Sequence, residues 1–431
     1  MRYSIEKLYE IFIASKGVVT DSRQCKPGTI FFALHGERFD GNDFAIKALN
    51  LGCQYAVVDR MGLGDDKRLI PVKNVLATLQ ELARYHRRQF DIPVLAVTGT
   101  NGKTTTKELL TIALSGRFKV LSTQGNLNNQ IGVPLTLLRL TKEHTFAIIE
   151  MGASHPGDIQ ELCEIAQPNQ GLITNVGKAH LQGFGSLQGV IETKTELYRY
   201  LMQRNGMIYV NGNNATLMQA VGDYRHITTY PEHFALIPHE PMMSFTYQYD
   251  KYTTHMFGDH NYENMLAAIA VAKRNLVDVR NAINALCSFT PVNNRSQLSQ
   301  TQRNLLIIDA YNANPSSMSA AIRQFDNNPH YNNKTAILGD MLELGENSRL
   351  EHRTIIELLK NSNIYTTYLV GSEFSRAMKF TTLNGRYKDK FLVFDNTDAL
   401  MCHLRTNGIK GRTILIKGSR GVALEKVIPL L

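Results

Sequence analysis

Apolar and polar positions recur along the chain in two periods, and the order of those periods predicts the architecture. Residues 5–14, IEKLYEIFIA, carry apolar side chains at helical spacing, and the GTIFFAL that comes later is a short apolar run of the kind that buries as a strand. Helical GNDFAIKALNLGC, strand-like QYAVVD and helical VLATLQELARYHRRQF complete a small α/β module that ends near Phe90. A second series starts at DIPVLAVTG and continues through the apolar strands TFAIIEMG and GLITNVG, with helical stretches between them. Such a series predicts a mostly parallel sheet with helices on both faces. The polar, proline-containing CSFTPVNNRSQ breaks the helical pattern of NYENMLAAIAVAKRNL near Pro291. Beyond it NLLIIDAYN, KTAILGDM, YTTYLVG, KFLVFDN and RTILIKGSRG read as strands separated by helices. The expected fold class is α/β in three domains: a small N-terminal α/β domain over 1–90, a central domain with a mostly parallel sheet over 91–291, and a C-terminal Rossmann-like domain over 292–431.

Length supports that division, since 431 residues exceed what one hydrophobic core organises. Composition, 43% hydrophobic and 20% charged, is that of a soluble globular chain, and no apolar run approaches the roughly 18 residues that suggest a membrane span. Acidic residues interrupt the N-terminal MRYSIEKLYEIFIASKG, so it reads as a helix rather than a signal peptide, and a cytoplasmic location is expected. Cys25, Cys53, Cys163, Cys287 and Cys402 lie without CxxC spacing, which argues against a disulfide framework and a zinc site. The net charge of +9 favours anionic partners such as nucleotides. Without an arginine-rich arm, zinc-finger spacing or an interleaved basic and aromatic tract, no nucleic acid partner is expected.

The strongest chemical signal is VTGTNGKTTTKEL, Val97 to Leu109, between an apolar strand and a helix. A strict Walker A loop has glycine five positions before its Gly-Lys pair, and here Val97 stands there. The physical requirements are still met: Gly99 and Gly102 let the backbone approach phosphate oxygens, the helix N-terminus points N–H groups at them, and Lys103 supplies a cation. Thr104 can place its hydroxyl on Mg²⁺. These features make the central domain a P-loop mononucleotide-binding unit. Glu150 ends the strand TFAIIE, on the edge that parallel strands share, where an acid can hold the metal; the bland alternative is a solvated strand-end carboxylate. His180 in NVGKAHLQGFGS reaches the same edge, although a lone histidine is more often structural. Lys194 lies in the amphipathic IETKTELYRYL, where it reads by default as a solvated surface charge.

Asn261 and Asn264 fall three apart in the first turn of a helix and so share a face, suited either to bonding an adenine or to capping. Asp309 ends the strand of IIDAYNANPSSM, ahead of asparagines and Pro315 that would also suit a helix cap. The density of amides beside a strand-end acid favours ligand contact there.

Together these motifs resemble the Mur ligases, and the resemblance extends over essentially the whole chain. It is carried by TDSR and GTIFFALHGERFDG in the first domain, by TGTNGKTTT, EMGASHPGDI, NVGKAHLQGFGS, ETKTELY and DHNYENMLAA in the second, and by KGSRG in the third. GNLNNQIGVPLTLL, DAYNANP and GDMLELG look specific to the branch that adds D-Ala-D-Ala to UDP-MurNAc-tripeptide. The resemblance implies an ATP-dependent ligase of peptidoglycan precursor synthesis, in which the peptide carboxylate is phosphorylated and the dipeptide amine attacks the acyl phosphate. By the same resemblance Gly99, Thr100, Asn101, Gly102, Lys103, Thr104 and Thr105 bind the ATP phosphates. Thr104 and Glu150 hold one Mg²⁺, and His180 helps hold a second. Lys194 aligns with a lysine that several Mur ligases carry as a carbamate, a metal-binding anion.

Asn261 and Asn264 are then expected at the nucleotide, Arg295 near the γ-phosphate and Asp309 at the ribose. Ser22 and Arg23 are implied contacts of the uridine diphosphate end, and Asn126, Asn128, Asn129, Ser154 and His155 line the path of the muramoyl peptide. Lys417, Ser419 and Arg420 face the active site from the third domain. A monomer is expected. The competing readings are the ligase that adds the third residue and a folylpolyglutamate synthase. The D-N-P-R stretch typical of the diaminopimelate-adding ligase is absent, and Asp326 to Pro329, DNNP, does not replace it. A nucleic-acid-stimulated P-loop ATPase is a more remote reading, since neither an NKxD motif nor a DEAD-type box occurs.

Overall fold

The computed structural model describes residues 4–37, 39–238, 240, 242–258, 260–291, 297–381, 387 and 389–431. Three main sheets organise it, as the α/β pattern predicts. The first is parallel and small, built from β1 (Val18–Val19), β2 (Ile30–Phe32), β5 (Tyr55–Val58) and β6 (Leu69–Pro71) in the order β1-β2-β5-β6. A short ribbon of β3 (His35–Gly36) and β4 (Phe39–Asp40) projects from it. The helix Val75–Arg87 closes this region, capped by the Asn74 side chain on Ala77 N. Its buried face joins Leu79, Leu82 and Ala83 to Val133, Leu137, Ile159 and Leu162 in one core, so the first and second sheets share packing.

The second sheet is entirely parallel. It comprises β7 (Val94–Thr98), β8 (Val120–Ser122), β9 (Phe146–Glu150), β10 (Gln170–Ile173), β11 (Met207–Asn211) and β12 (Ile227–Tyr230), ordered β12-β11-β10-β7-β9-β8. The chain leaves β7 toward one side of the sheet and returns for β10 on the other. The C-terminal end of β7 is therefore a switch point, the place where open α/β sheets bind ligands. Every residue of β7 and β9 is buried, which is why both read as unbroken apolar runs.

A three-stranded antiparallel sheet of β13 (Phe234–Ile237), β14 (Ser244–Tyr247) and β15 (Asp250–Thr253) follows, which the sequence pattern does not predict. Its β14–β15 turn places Gln248 and Tyr249 at φ 49° and 74°. A two-residue turn of this kind favours glycine or asparagine, and neither residue advertises it.

The third sheet contains β16 (Gln297–Gln300), β17 (Leu305–Asp309), β18 (Lys334–Gly339), β19 (Thr366–Val370), β20 (Phe391–Phe394) and β21 (Thr413–Lys417) in the order β16-β17-β21-β18-β19-β20. All its pairs are parallel except β16 with β17. Parallel register sets Asp309 opposite Lys417 at the C-terminal edge. Leu181, Phe184 and Val190 of the central region enter the core of this third unit beside Met318, Met341 and Leu344. Among the described residues no helix is long and apolar enough to cross a membrane.

Candidate active site

Two glycines shape the phosphate loop. Gly99 has φ 142°, and a Cβ there would lie 2.0 Å from Thr174 Oγ1. Gly102 has φ 78° and precedes the helix Lys103–Ser115; its Cβ would lie 2.5 Å from Asn264 Oδ1. Val97, which stands where a strict Walker A motif has glycine, is buried within β7 opposite Glu150 and Leu172, so the loop begins after the strand rather than inside it. The end of β10 holds the loop: Thr100 N donates to Asn175 O at 2.9 Å, Asn101 N to Asn175 Oδ1 at 3.0 Å, and Thr174 Oγ1 to Asn101 O at 2.6 Å. Lys103 Nζ folds back onto Gly99 O at 2.7 Å and Thr100 O at 3.2 Å.

Gly102→Ala meets two separate obstacles, a left-handed backbone costing roughly 1–2 kcal/mol and the Asn264 amide. We expect a lower melting temperature and weaker ATP binding, measured by thermal unfolding and calorimetry; wild-type values for both would contradict this reading of the loop.

Asn261 and Asn264 are both buried in the helix His260–Arg274. Asn261 donates to Phe257 O at 2.6 Å and accepts from Asn264 Nδ2 at 3.1 Å. That contact turns Asn264 Oδ1 toward the loop helix, where it accepts from Thr106 Oγ1 at 3.1 Å. Asn264 faces the cavity described below, and Asn261 supports it from behind.

Glu150 is 1% exposed. Its Oε1 accepts from Asn128 Nδ2 at 2.8 Å and from Thr104 Oγ1 at 3.2 Å, and its backbone N donates to Thr123 Oγ1 at 2.9 Å. Oε2 is buried with no hydrogen-bond partner among the described residues. An orphaned carboxylate oxygen beside a threonine hydroxyl at a phosphate loop is a donor set that fits a divalent cation.

A cavity of about 530 Å³ opens over this edge. Thr100 through Thr105, Glu150 and Asn264 form its floor; Asn126, Asn128, Asn129 and Ser154 line one wall; His180 and Asp309 face it from elsewhere in the chain. Asp158 fixes the wall, accepting from Ser154 N at 2.8 Å, His155 N at 2.9 Å and Gln130 Nε2 at 2.9 Å. The third domain closes the other side through Tyr311, Asn312, Glu343, Lys417 and Arg420. Lys417 is paired with Asp309 at 2.5 Å. Polar contacts cross the seam: Asn314 Nδ2 donates to Asn101 Oδ1 at 2.8 Å, Lys178 pairs with Glu351 at 2.7 Å, and His180 Nδ1 meets Glu343 Oε2. The His180 contact holds the Glu343 carboxyl below its ordinary pKa.

Three family models match the chain: the Mur ligase family catalytic domain over residues 15–87, the Mur ligase middle domain over 97–272, and the Mur ligase glutamate ligase domain over 294–420. The chain is also 34% identical to the UDP-N-acetylmuramoyl-tripeptide–D-alanyl-D-alanine ligase of Escherichia coli strain K12, over 97% of this chain and 94% of that one. The chain belongs to the Mur ligase family. Among solved structures, the MurF of Acinetobacter baumannii is similar at a TM-score of 0.85 and 30% identity, covering 100% of this chain and 98% of that one. The MurF of Thermotoga maritima, solved in complex with ADP, is similar at a TM-score of 0.83 and 29% identity, covering 98% and 97%.

One reading of this Mur ligase needs correction. Lys194 is not a solvated surface charge: it is 2% exposed. The expected continuous helix divides at Thr195 into Leu187–Lys194 and Glu196–Met202, which turns the lysine inward, with its Nζ 5.6 Å from the centre of the Phe184 ring. Burial first, and the Lys103 charge second, pull its ammonium well below the ordinary pKa, against Asp158 and Glu196.

Gly99, His155 and Lys194 are not among the residues that line the cavity. Ser22 and Arg23 lie in a short turn of the first domain, where Arg23 is exposed and forked onto Asp21 at 2.6 Å. Arg295 lies outside the described residues. Glu343, Asp158 and Tyr311 carry no role in the sequence reading, although their motifs GDMLELG, GASHPGDI and DAYNANP already stand out there.

Proposed function

We propose that this Mur ligase joins D-Ala-D-Ala to UDP-MurNAc-tripeptide at the cost of ATP, forming ADP and phosphate in peptidoglycan precursor synthesis. The observation that carries this reading is a single cavity bringing together a phosphate loop, a buried carboxylate oxygen without a partner and an asparagine-lined wall. The near full-length likeness to enzymes named for this reaction supports it.

A carboxylate is a poor electrophile at neutral pH, so the γ-phosphoryl group of ATP is transferred to it first. Lys103 and the N–H groups of the loop neutralise the phosphate charge that would repel the incoming carboxylate. Thr104 and Glu150 would hold Mg²⁺, with His180 at a second ion; the metal supplies charge neutralisation between the two anions. The asparagine wall directs the peptide carboxylate toward the γ-phosphate, and the first domain, with Ser22 and Arg23, holds the uridine diphosphate end. Asn264 and Asp309 take the nucleotide. The dipeptide amine attacks the acyl phosphate, and phosphate leaves as the new amide forms. The third domain covers the site and excludes water that would hydrolyse the mixed anhydride.

Lys194 fits a carbamate. Carbon dioxide adds only to a neutral amine, forming an N–C bond with loss of a proton, and burial together with the Lys103 charge shifts Lys194 toward that neutral form.

ADP release tests the reading when ATP, Mg²⁺, UDP-MurNAc-tripeptide and D-Ala-D-Ala are each omitted in turn. We expect turnover only with all four. Undiminished turnover without the dipeptide would sink the proposal, and stimulation by RNA would favour an ATPase.

A further inference from the structure

The third sheet carries a second cavity at the end away from the active site. Asp309 and Lys417 meet at the C-terminal ends of β17 and β21, whereas this cavity, of about 300 Å³, opens at the N-terminal ends of β18, β19 and β21. The run of β21 from Thr413 to Lys417 separates the two edges by about 13 Å. Thr335 and Thr366 are register partners, so their side chains leave the same face of the sheet, and Thr335 is 1% exposed. Both line the cavity, and neither hydroxyl makes a hydrogen bond among the described residues. Tyr368 and Ile409, both mostly buried, supply its apolar surface. Lys410 and Arg412 supply its charge. No acidic side chain among the described residues lines the cavity, and neither cation makes a side-chain hydrogen bond or an ion pair there. The Arg412 guanidinium lies 5.2 Å from the centre of the Tyr365 ring. The loop that bears both cations is anchored by Asn304, which is 2% exposed, donates from Nδ2 to Ile409 O at 2.9 Å and accepts from Arg412 N at 3.1 Å. Gly411 between the cations, at φ 66°, donates to Arg303 O at 2.9 Å and accepts from Asn333 Nδ2 at 3.2 Å.

We infer that this cavity binds the phosphate group of a small phosphorylated molecule, with Lys410, Arg412 and the two threonine hydroxyls on the phosphate oxygens and Tyr368 and Ile409 against the organic part. The unpartnered polar groups are an ammonium, a guanidinium and two hydroxyls, so the complementary ligand accepts hydrogen bonds on several oxygens at once. Phosphate does so, and a guanidinium fork held beside an aromatic face matches two of its oxygens. A few hundred Å³ also leaves room for an organic body beside the anion. Balancing the carbonyls at the C-terminus of the helix Thr397–Thr406 would account for two cations, but it would leave the paired threonine hydroxyls without a purpose. The site stands apart from the ligase chemistry, since the strands that form it present their opposite ends to the active site.

Calorimetric titration of the full chain tests this, with the phosphate loop kept occupied by Mg²⁺ and a non-hydrolysable ATP analogue. The probes are inorganic phosphate, glucose 1-phosphate, and glucose with chloride at matched ionic strength. Wild type should bind both phosphates saturably and the control not at all. Arg412→Met should raise the dissociation constant about 10- to 100-fold, and Thr335→Val, which keeps size and charge, about 3- to 10-fold. Tighter binding of glucose 1-phosphate than of inorganic phosphate assigns the organic body to the Tyr368 side, and equal affinities overturn that part. Binding that Arg412→Met weakens and Thr335→Val leaves untouched reports diffuse surface charge and overturns the inference, as does the absence of saturable binding in wild type. Arg412 lies at the surface rim, so its variant keeps the test open if the buried threonine cannot be replaced; affinity unchanged in Arg412→Met overturns the inference by itself. None of these results bears on dipeptide-dependent turnover, so the ligase reading stands or falls separately.

Discussion

Lys103→Ala should lower kcat/KM for ATP by about 10²- to 10³-fold while the folded state survives, with a melting temperature close to wild type. The lysine stands in the first turn of the loop helix, and its Nζ now satisfies two carbonyls of its own loop. In the proposed role it would exchange those bonds for phosphate oxygens when nucleotide arrives. If its only task were to staple the loop, removing it would lower stability and leave activity largely intact at low temperature. Thermal unfolding and ADP release on the same preparation separate the two. Lys103→Arg should not restore the rate, since a flat guanidinium does not replace a compact ammonium in a tight loop.

The second large effect concerns Lys194. Replacing it with alanine should cost about 100-fold in turnover, the loss typical when a group that supports a metal site is removed. A short carboxylate such as acetate should restore part of that loss if the native side chain is a carbamate, because the vacated space accepts an anion of the same shape. Labelled carbon dioxide gives an independent readout: wild type should show a carbamate carbon by NMR and the variant none. Absence of both the signal and the rescue would show that the lysine acts as a buried amine.

Much of this molecule is legible from its sequence, for identifiable reasons. The strands at β7, β9, β17, β18, β19 and β21 are apolar on both faces and declare themselves as runs. β1, only two residues long, and the edge strand β16 do not, because their pairing is set by neighbours across the sheet. The glycine-lysine-threonine loop is legible because phosphate binding demands particular residues at particular positions. Lys194 is misread because burial is a tertiary property: a helical pattern ranks lysine as polar and cannot show that the helix divides beneath it. The meeting of His180 with Glu343 is invisible for a related reason, since the pair joins two domains.

The hydrogen bond between Asn314 and Asn101 has a consequence for heredity. The backbone of Asn101 is held by Asn175 and Thr174, and the Asn314 side chain is fixed by a reciprocal cap with Ser317, so the contact joins two anchored positions. Two positions 213 residues apart then behave as one character. Across related enzymes they should change together or not at all, and a lineage that replaces one should carry a matching replacement at the other.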